Sequence, residues 1–203
     1  NSTQKIKLIG DKSLSKRDFS RVTEPLQKFG AKFHSKKGSK LPLTIMGLKY
    51  TIPINYTEDK GSAQCKSSIM LAALNTNGET FIKAKKSRNH TELFFKYLKI
   101  PTKIKKTKEY DYIRILGKKN FKAFNYSIPG DISSSAFFIV LTALSKNSKL
   151  LIKNVNINPS RVGVIKILIK MGVKILLKNK RDYKGEIVAD IFIKSSKNLK
   201  AIN

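Results

Sequence analysis

Short stretches of this chain recur at a regular interval, and this repetition limits the folds that the chain can adopt. The recurring pairs are Gly61 and Gly130, LAAL at 71–74 and LTAL at 141–144, and Arg88 and Arg161. An interval of about 70 residues is too long for a solenoid of helix pairs. It instead predicts a repeated βαβαββ unit, in which the helices of successive copies pack side by side and point in the same direction.

The charge of the chain is extreme but evenly spread. The 203 residues carry a formal net charge of +29, and lysines occur in nearly every segment. Proteins that bind nucleic acid usually concentrate such charge on one face and add arginines or aromatic side chains. We therefore predict no specific nucleic-acid partner, although the charge itself favours nonspecific adhesion to polyanions.

Cysteine and histidine usage argues against metal or thiol chemistry. Cys65 is the one cysteine, so the chain has no internal disulfide and no CxxC metal motif. We expect a packed thiol there, because no histidine lies near it in the sequence, and His34 and His90 lack the spacing of metal ligands. No window reaches 18 apolar residues, and the first ten residues lack the apolar core of a signal peptide. These features predict a cytoplasmic protein with no cofactor, no metal site and no membrane partner.

Hydrophobic periodicity predicts an α+β chain. The predicted helices are a segment that ends at Gly30, residues 61–74, residues 87–98, and two segments that follow residues 129–131 and 158–160. Either Ser87 or Asn89 is expected to start the third of these helices. The predicted strands are 4–9, 31–35, 43–46, 51–56, 80–82, 100–104, 112–116, 121–126, 150–152, 173–177 and 187–193. Pro25 lies within the first helix and should kink it or mark its start.

The helix predicted at 61–74 is polar in its first turns and apolar at its end. Ser62 is a candidate N-cap, and Gln64 and Lys66 follow it. The free N–H groups at a helix start carry about half a positive charge, which suits a phosphate or a carboxylate. Parallel helices would add their positive ends at one cleft, so we predict a site for small anions. An ordinary capped core helix is the alternative for this stretch taken alone.

Five stretches in order carry a resemblance to a known family. They are GDKSLSKR at 10–17, GSAQCKSSIMLAAL at 61–74, SRNHTE at 87–92, PGDISSSAFF at 129–138 and NVNINPSRVGVIKILIKMGVKI at 154–175. Together they resemble 5-enolpyruvylshikimate-3-phosphate synthase, in the bacterial class whose middle element is SAQ-x-KSA. The resemblance spans nearly the whole chain.

The resemblance implies a 3-phosphoshikimate 1-carboxyvinyltransferase. Such enzymes move the enolpyruvyl group of phosphoenolpyruvate to the 5-hydroxyl of shikimate 3-phosphate and release phosphate, on the way to aromatic amino acids. The implied fold is an inside-out α/β barrel of two lobes, each built from three βαβαββ copies around parallel helices. The implied partners are the two small substrates, and the full-length protein is expected to be a monomer.

The resemblance places Ser62, Ala63, Gln64, Ser87 and Arg88 at the shikimate 3-phosphate site. A capped helix start offers N–H donors and a hydroxyl to a phosphate, which agrees with that assignment. The alternative for Ser87 is a plain N-cap, and the alternative for Arg88 is a solvated charge.

The resemblance places Arg17 and Gln64 at the phosphoenolpyruvate site. The planar guanidinium of an arginine can hold a carboxylate or a phosphate through two hydrogen bonds, which a lysine cannot do. The alternative for Arg17 is a salt bridge to Asp18 or Glu24.

The implied domain boundary lies near residues 126–131. Residues 1–126 would form two βαβαββ units of the first lobe, and residues 127–203 would form the first, partial unit of the second lobe. Residues 129–135 and 158–161 match family signatures, which we interpret as a crossover between lobes and a helix cap. Because each lobe would be incomplete, we expect exposed apolar surface and poor solubility.

The remaining family motifs are expected outside these 203 residues. A GSKS-type lysine and an NAGT-type turn would precede residue 1, and segments with an aspartate, a lysine and further arginines would follow residue 203. Enolpyruvyl transfer needs a proton donor and a base, and we find no candidate catalytic residue within this chain. We therefore expect the isolated chain to hold part of the substrate site without being active. The alternatives are a relative that acts on UDP-N-acetylglucosamine and a basic polyanion-binding module without chemistry.

Overall fold

The computed structural model describes residues 3–35, 38–117, 122–196 and 198–202, and the chain divides into two compact units, Asn1–Phe121 and Lys122–Asn203. The helices are α1 Ser20–Lys28, α2 Ala63–Leu74, α3 His90–Tyr97, α4 Ile132–Leu144 and α5 Gly163–Lys170. The strands are β1 Lys5–Leu8, β2 Lys32–Ser35, β3 Leu43–Met46, β4 Asn55–Glu58, β5 Glu79–Lys85, β6 Thr102–Lys106, β7 Tyr110–Leu116, β8 Lys149–Asn156, β9 Lys174–Tyr183 and β10 Glu186–Lys194. The predicted α+β class is confirmed.

The central sheet contains four strands in the order β4-β5-β7-β6. Strands β4 and β5 are parallel, with Glu58 paired to Ala84, whereas β7 is antiparallel to both of its neighbours. In chain order this part is β4-α2-β5-α3-β6-β7, which is a βαβαββ succession. Because β4 and β5 are parallel, α2 and α3 both begin at the same edge of the sheet.

The other two sheets contain parts of the same succession. In unit 1, the antiparallel sheet β1-β3-β2 has α1 between β1 and β2, which matches β5-α3-β6-β7. In unit 2, the sheet has the order β8-β10-β9, and Gly130 forms a parallel bridge with Val155 of β8. Gly130 therefore takes the place of β4, and α4 and α5 take the places of α2 and α3.

Helix α2 lies in the core of unit 1. Its side chains Ile69 and Met70 are fully buried, and they belong to one apolar cluster with Ile82 of β5 and Ile113 of β7. The apolar second half of α2 supplies this packing, and the polar first half is left at the edge of the sheet. The start of α2 is therefore held by a well-packed helix, which fixes its position.

One strand predicted from the sequence is absent, and the structure decides between predicted alternatives at two helices. Residues 122–126 form no strand, and residue 121 of that predicted strand lies outside the described residues. Helix α3 begins at His90 with Asn89 at the N-cap position, so of the two predicted starts, Ser87 and Asn89, the structure has Asn89. Helix α1 contains Pro25 and begins before it, so this proline does not mark the helix start. Pro25 has no N–H to donate to the preceding turn, and its ring is buried.

Helix α4 carries an exposed apolar face. Four of its side chains are between 60% and 79% exposed: Phe137, Phe138, Leu141 and Leu144. The opposite face, with Ile139 and Ala143, is buried against the sheet of unit 2. The expected exposed apolar surface is therefore present on this helix. Among the described residues, no helix combines the length and the apolar character needed to cross a membrane.

Candidate functional site

The starts of α2 and α3 lie next to each other. Gly61, in the connection from β4 to α2, has a φ of +67°, a left-handed conformation that favours glycine. A Cβ added to Gly61 would lie 3.3 Å from the carbonyl oxygen of Lys86, in the connection from β5 to α3. The two connections are therefore in contact, and we call the region around them the α2–α3 edge.

Two side-chain contacts join α2 to α3 near this edge. The Nζ atom of Lys66 lies 2.5 Å from Oε1 of Glu92, and their side chains are 0% and 6% exposed. The hydroxyl groups of Ser67 and Thr91 are 2.7 Å apart. A charged pair that is shielded from water holds the two helix starts at a fixed separation. Sequence reasoning missed both contacts.

The first turn of α2 presents hydrogen-bond donors. The Oγ atom of Ser62 accepts from the backbone N–H of Cys65 at 3.2 Å, which confirms Ser62 as the N-cap. The N–H groups of Ala63 and Gln64 precede the first bond inside the helix and have no acceptor within it. The Gln64 side chain is exposed. This helix start can therefore accept an anion.

Ser87 and Arg88 lie in the connection that leads to α3. The Oγ atom of Ser87 is buried, and it finds no hydrogen-bond partner among the described residues. Ser87 stands two residues before the N-cap position of α3, so the plain N-cap alternative is wrong. The Arg88 side chain is exposed, and within the described part of the chain its guanidinium forms no hydrogen bond or ion pair. The structure thus places all five predicted shikimate 3-phosphate residues at the α2–α3 edge.

Arg17 lies outside this set of contacts. It is exposed and ends the short 3-10 helix Leu14–Lys16, just before α1. The carboxylate of Asp18 accepts hydrogen bonds from the N–H and the hydroxyl of Ser20, both at 2.8 Å. No salt bridge joins Arg17 to Asp18 or Glu24 in the described residues. Arg17 precedes α1 as Arg88 precedes α3, which is the correspondence that the sheet topology predicts.

Unit 2 contains helix starts equivalent to the α2–α3 edge, and there a carboxylate of the chain itself lies at the start of the first helix. Asp131 is the N-cap of α4, and its Oδ atoms accept from the N–H groups of Ser133 and Ser134 at 3.2 and 3.3 Å. The guanidinium of Arg161, from the connection to α5, lies 3.0 Å from Asp131 Oδ1 and also bonds the hydroxyl of Ser133. An arginine before the second helix therefore reaches the start of the first helix. Residues 158–160 were predicted to cap α5, but Val162 stands at its N-cap position, and Asn158 Oδ1 accepts from Ser160 N–H.

The carboxyl group of Asp131 is held ionised by its neighbours. Partial burial opposes ionisation, but the N–H of Ser133, the charge of Arg161 and the N–H of Ser134 outweigh it and hold the pKa of Asp131 below its usual 3.8. Because the pKa is lowered in the folded state, the stabilisation is complete above the usual pKa. It is lost as the pH falls through the folded value.

We expect Asp131→Ala to lower the free energy of unfolding by about 1 kcal/mol at neutral pH, as removal of an N-cap does. Asp131→Asn retains a capping side chain without its charge, so it should cost less and should weaken the loss of stability below pH 4. Urea unfolding at neutral and at acid pH measures both effects. An unchanged acid dependence in Asp131→Asn would contradict this account. Some dependence should persist, because Asn154 N–H also lowers the pKa of Asp190.

The Cys65 thiol and the Tyr56 phenol, which lie near the start of α2, are protonated at neutral pH. Burial, followed by the charge of Glu58, raises the pKa of the Cys65 thiol to about 11. Burial and the neighbouring Cys65 raise the pKa of Tyr56 to about 12. The packed thiol expected from the sequence is confirmed, and neither group can serve as a base. The serine, glutamine and arginine side chains of the edge can donate hydrogen bonds to an anion.

Comparison with known proteins agrees with these features. The family model for EPSP synthase (3-phosphoshikimate 1-carboxyvinyltransferase) matches residues 1–203. The 3-phosphoshikimate 1-carboxyvinyltransferase of Petrotoga mobilis is 44% identical over 191 residues, which are 93% of this chain and 44% of that protein. The enzyme of the same name from Zymomonas mobilis is 40% identical over 196 residues, or 96% of this chain and 43% of that protein.

A solved structure of EPSP synthase from Acinetobacter baumannii superposes with a TM-score of 0.80 at 35% identity. The superposition covers 99% of this chain and 45% of that structure. This chain therefore spans less than half the length of the relatives that it matches. The match over its whole length shows that the chain belongs to the EPSP synthase family.

Proposed function

We propose that this chain holds part of the substrate site of a 3-phosphoshikimate 1-carboxyvinyltransferase. In the proposed reaction, the enolpyruvyl group of phosphoenolpyruvate moves to the 5-hydroxyl of shikimate 3-phosphate, and phosphate is released. The contribution of this chain is binding. Its proposed phosphate-binding residues are Ser62, Ala63, Gln64, Ser87 and Arg88.

The comparison of the two units carries this proposal. In unit 2, the carboxylate of Asp131 occupies the start of α4 and pairs with Arg161. In unit 1, the equivalent helix begins with the neutral Ser62, and Arg88 has no anionic partner among the described residues. Unit 1 thus has the same helix start and the same cation without an internal carboxylate. An external phosphate would make the contacts that Asp131 makes in unit 2.

The chemistry of the α2–α3 edge suits a phosphate monoester. The N–H groups of Ala63 and Gln64 point along the helix axis toward an anion, and Arg88 can add two parallel hydrogen bonds. Rotation of the Ser87 side chain would bring its hydroxyl, which has no partner in the described structure, to the same phosphate. The alternative of an ordinary capped helix does not account for an exposed Arg88 in the connection that contacts Gly61, just before α2.

Phosphoenolpyruvate is the proposed second ligand, with Arg17 and Gln64 as its contacts in this chain. The Gln64 side chain is exposed at the start of α2 and can donate or accept a hydrogen bond. Arg17 stands before α1 as Arg88 stands before α3 and Arg161 before α5. This equivalent position supports the assignment. No candidate acid or base lies among these residues, so we propose that the isolated chain does not catalyse enolpyruvyl transfer.

We further propose that residues 1–126 are two units of one lobe and residues 127–203 the first unit of the other, within an inside-out α/β barrel of parallel helices. The shared order of strands and helices in the three sheets supports this assignment. The exposed face of α4, with Phe137 and Leu141, is then the surface that further βαβαββ copies would cover.

Titration calorimetry of the chain with shikimate 3-phosphate tests the proposed site. We expect Ser62→Asp, which places a carboxylate where unit 2 has Asp131, to weaken binding about tenfold or more through repulsion of the phosphate. Aspartate is a good N-cap, so this variant should remain folded. Thr57→Asp, on an exposed position of β4, is the matched control for added negative charge and should bind nearly as well as the parent chain.

Three outcomes would contradict the proposal. Equal affinity of the Ser62→Asp variant and the parent chain would show that the phosphate does not sit at α2. A preference for UDP-N-acetylglucosamine over shikimate 3-phosphate would favour the related transferase. Binding that collapses with salt and does not distinguish shikimate 3-phosphate from inorganic phosphate would favour a polyanion-binding module.

A further inference from the structure

The face of the central sheet that points away from α2 and α3 carries rings and cations. Side chains alternate between the two faces of each strand. On β5, Thr80, Ile82 and Ala84 are buried on the helix side, while Phe81 and Lys83 lie on the other side. The same alternation on β7 buries Asp111, Ile113 and Ile115 and leaves the residues between them on the outer face.

The strand register arranges these outer residues in two rows across β5, β7 and β6. The first row holds Phe81, Arg114 and Lys103, and the second row holds Lys83, Tyr112 and Lys105. Each row contains one aromatic ring and two cations. Two residues of strand separate the rows, a distance of about 7 Å. We call these six residues the ring–cation face.

The rings of this face lie side by side in a shallow groove. The centroids of Phe81 and Tyr112 are 6.3 Å apart, with an angle of 28° between the ring planes, and both side chains are half-buried. The guanidinium of Arg114 lies 5.7 Å from the Phe81 centroid. With Lys103 and Lys105 they line a groove of about 510 Å³. The groove is large enough for more than one planar group beside the rings.

The charged side chains that line the groove are cations. Its charged lining residues are Lys103, Lys105 and Arg114. One of them, Arg114, forms an exposed ion pair with Glu79 at the sheet end, with 3.7 Å between Nη1 and Oε2. At the opposite end, Asp59 lies close enough to Tyr110 to raise the pKa of that phenol, so acids occur beyond the groove and not within it. A ligand of this face should therefore carry both negative charge and flat apolar surfaces.

We propose that the ring–cation face binds a single-stranded polynucleotide without sequence preference. Exposed bases stack on aromatic rings and on arginine guanidinium groups, and the phosphates of the strand pair with the flanking lysines. The even spread of lysines along the sequence predicts no concentrated nucleic-acid-binding surface. The register of three strands nevertheless brings four cations and two rings onto one face. This site lies on the other side of the sheet from the α2–α3 edge and is independent of the proposed transferase function.

Fluorescence anisotropy with a labelled oligouridylate tests the proposal. Phe81→Leu combined with Tyr112→Leu should weaken binding about tenfold or more, because two stacking platforms are lost. Lys103→Gln combined with Lys105→Gln should weaken binding and reduce the slope of log K against log salt by about 1.4, the value for two single-strand phosphate contacts. Unlabelled single strands should displace the probe better than duplex RNA or polyphosphate of equal charge, which lack exposed bases.

The matched control is Lys174→Gln combined with Lys194→Gln. These two exposed lysines are cross-strand neighbours on β9 and β10, so the pair removes the same charge from another sheet and should change the affinity little. A thermal melt like that of the parent chain would show that the ring variant, Phe81→Leu with Tyr112→Leu, is folded. If the ring variant does not fold, the Lys103→Gln and Lys105→Gln double variant decides the outcome. Unchanged affinity of the ring variant, or equal displacement by polyphosphate, would overturn the proposal. Shikimate 3-phosphate binding should be unaffected in either variant.

Discussion

Lys66→Met is expected to lower the free energy of unfolding of unit 1 by about 3–5 kcal/mol at neutral pH. The Lys66 side chain is fully buried, and its Nζ atom lies 2.5 Å from Glu92 Oε1. Methionine fills similar space but leaves the Glu92 carboxylate, which is 6% exposed, without a cation. An unpaired charge in a buried position loses its hydration without compensation. Urea unfolding of the single variant and of the parent chain measures this loss.

The double variant Lys66→Met with Glu92→Leu separates charge from packing. Removal of both partners leaves no unpaired charge, so most of the lost stability should return. Lys96→Met, at the exposed end of α3, removes the same charge from the surface and should change the stability by at most about 0.5 kcal/mol. If the single variant lost less than about 1 kcal/mol, the pair would not have the buried character that the structure gives it.

The parts of the fold that were predicted correctly depend on neighbours in the sequence. Ser62 was identified as an N-cap because serine before an apolar run is a local signal, and its Oγ accepts from Cys65 N–H. The start of α4 after Asp131 was predicted for the same reason. Strand β3 was predicted at its observed limits, Leu43–Met46. Caps and alternation act over a few residues, so one sequence suffices to find them.

The parts that were missed depend on residues that are distant in the sequence. Lys66 is one of 42 lysines and arginines, and its pairing with Glu92 arises only because β4 and β5 are parallel. The start of α3 could be predicted only as Ser87 or Asn89, because both residues are good caps, and the structure has Asn89 at the N-cap position. The role of Arg161 was interpreted as a helix cap, whereas its guanidinium pairs with Asp131. Each of these contacts is set by strand order, which local patterns do not specify.

Arg88→Gln is expected to weaken the binding of shikimate 3-phosphate about 100-fold. A hydrogen-bonded charge contact contributes about 1.5–3 kcal/mol, and Arg88 is the one arginine in the connection from β5 to α3. Arg88→Lys retains the charge but loses the planar pair of donors, so its loss should be smaller, about tenfold. In unit 2, Arg161 makes the corresponding pair of contacts, to the Asp131 carboxylate and to the Ser133 hydroxyl. Calorimetric titration of the three proteins with shikimate 3-phosphate measures the series.

Lys96→Gln is the matched control, because it removes one charge from the other end of the same helix, about 12 Å along the axis. It should bind shikimate 3-phosphate like the parent chain. If the Lys96 and Arg88 variants lost affinity equally, and the loss disappeared at high salt, the phosphate would be responding to the net charge of the chain and not to a site at α2. If Lys96→Gln bound like the parent chain, and the affinity of Arg88→Lys lay between those of Arg88→Gln and the parent chain, the geometry of the guanidinium would be part of the recognition. That second outcome is the one that the paired arrangement of Asp131 and Arg161 leads us to expect.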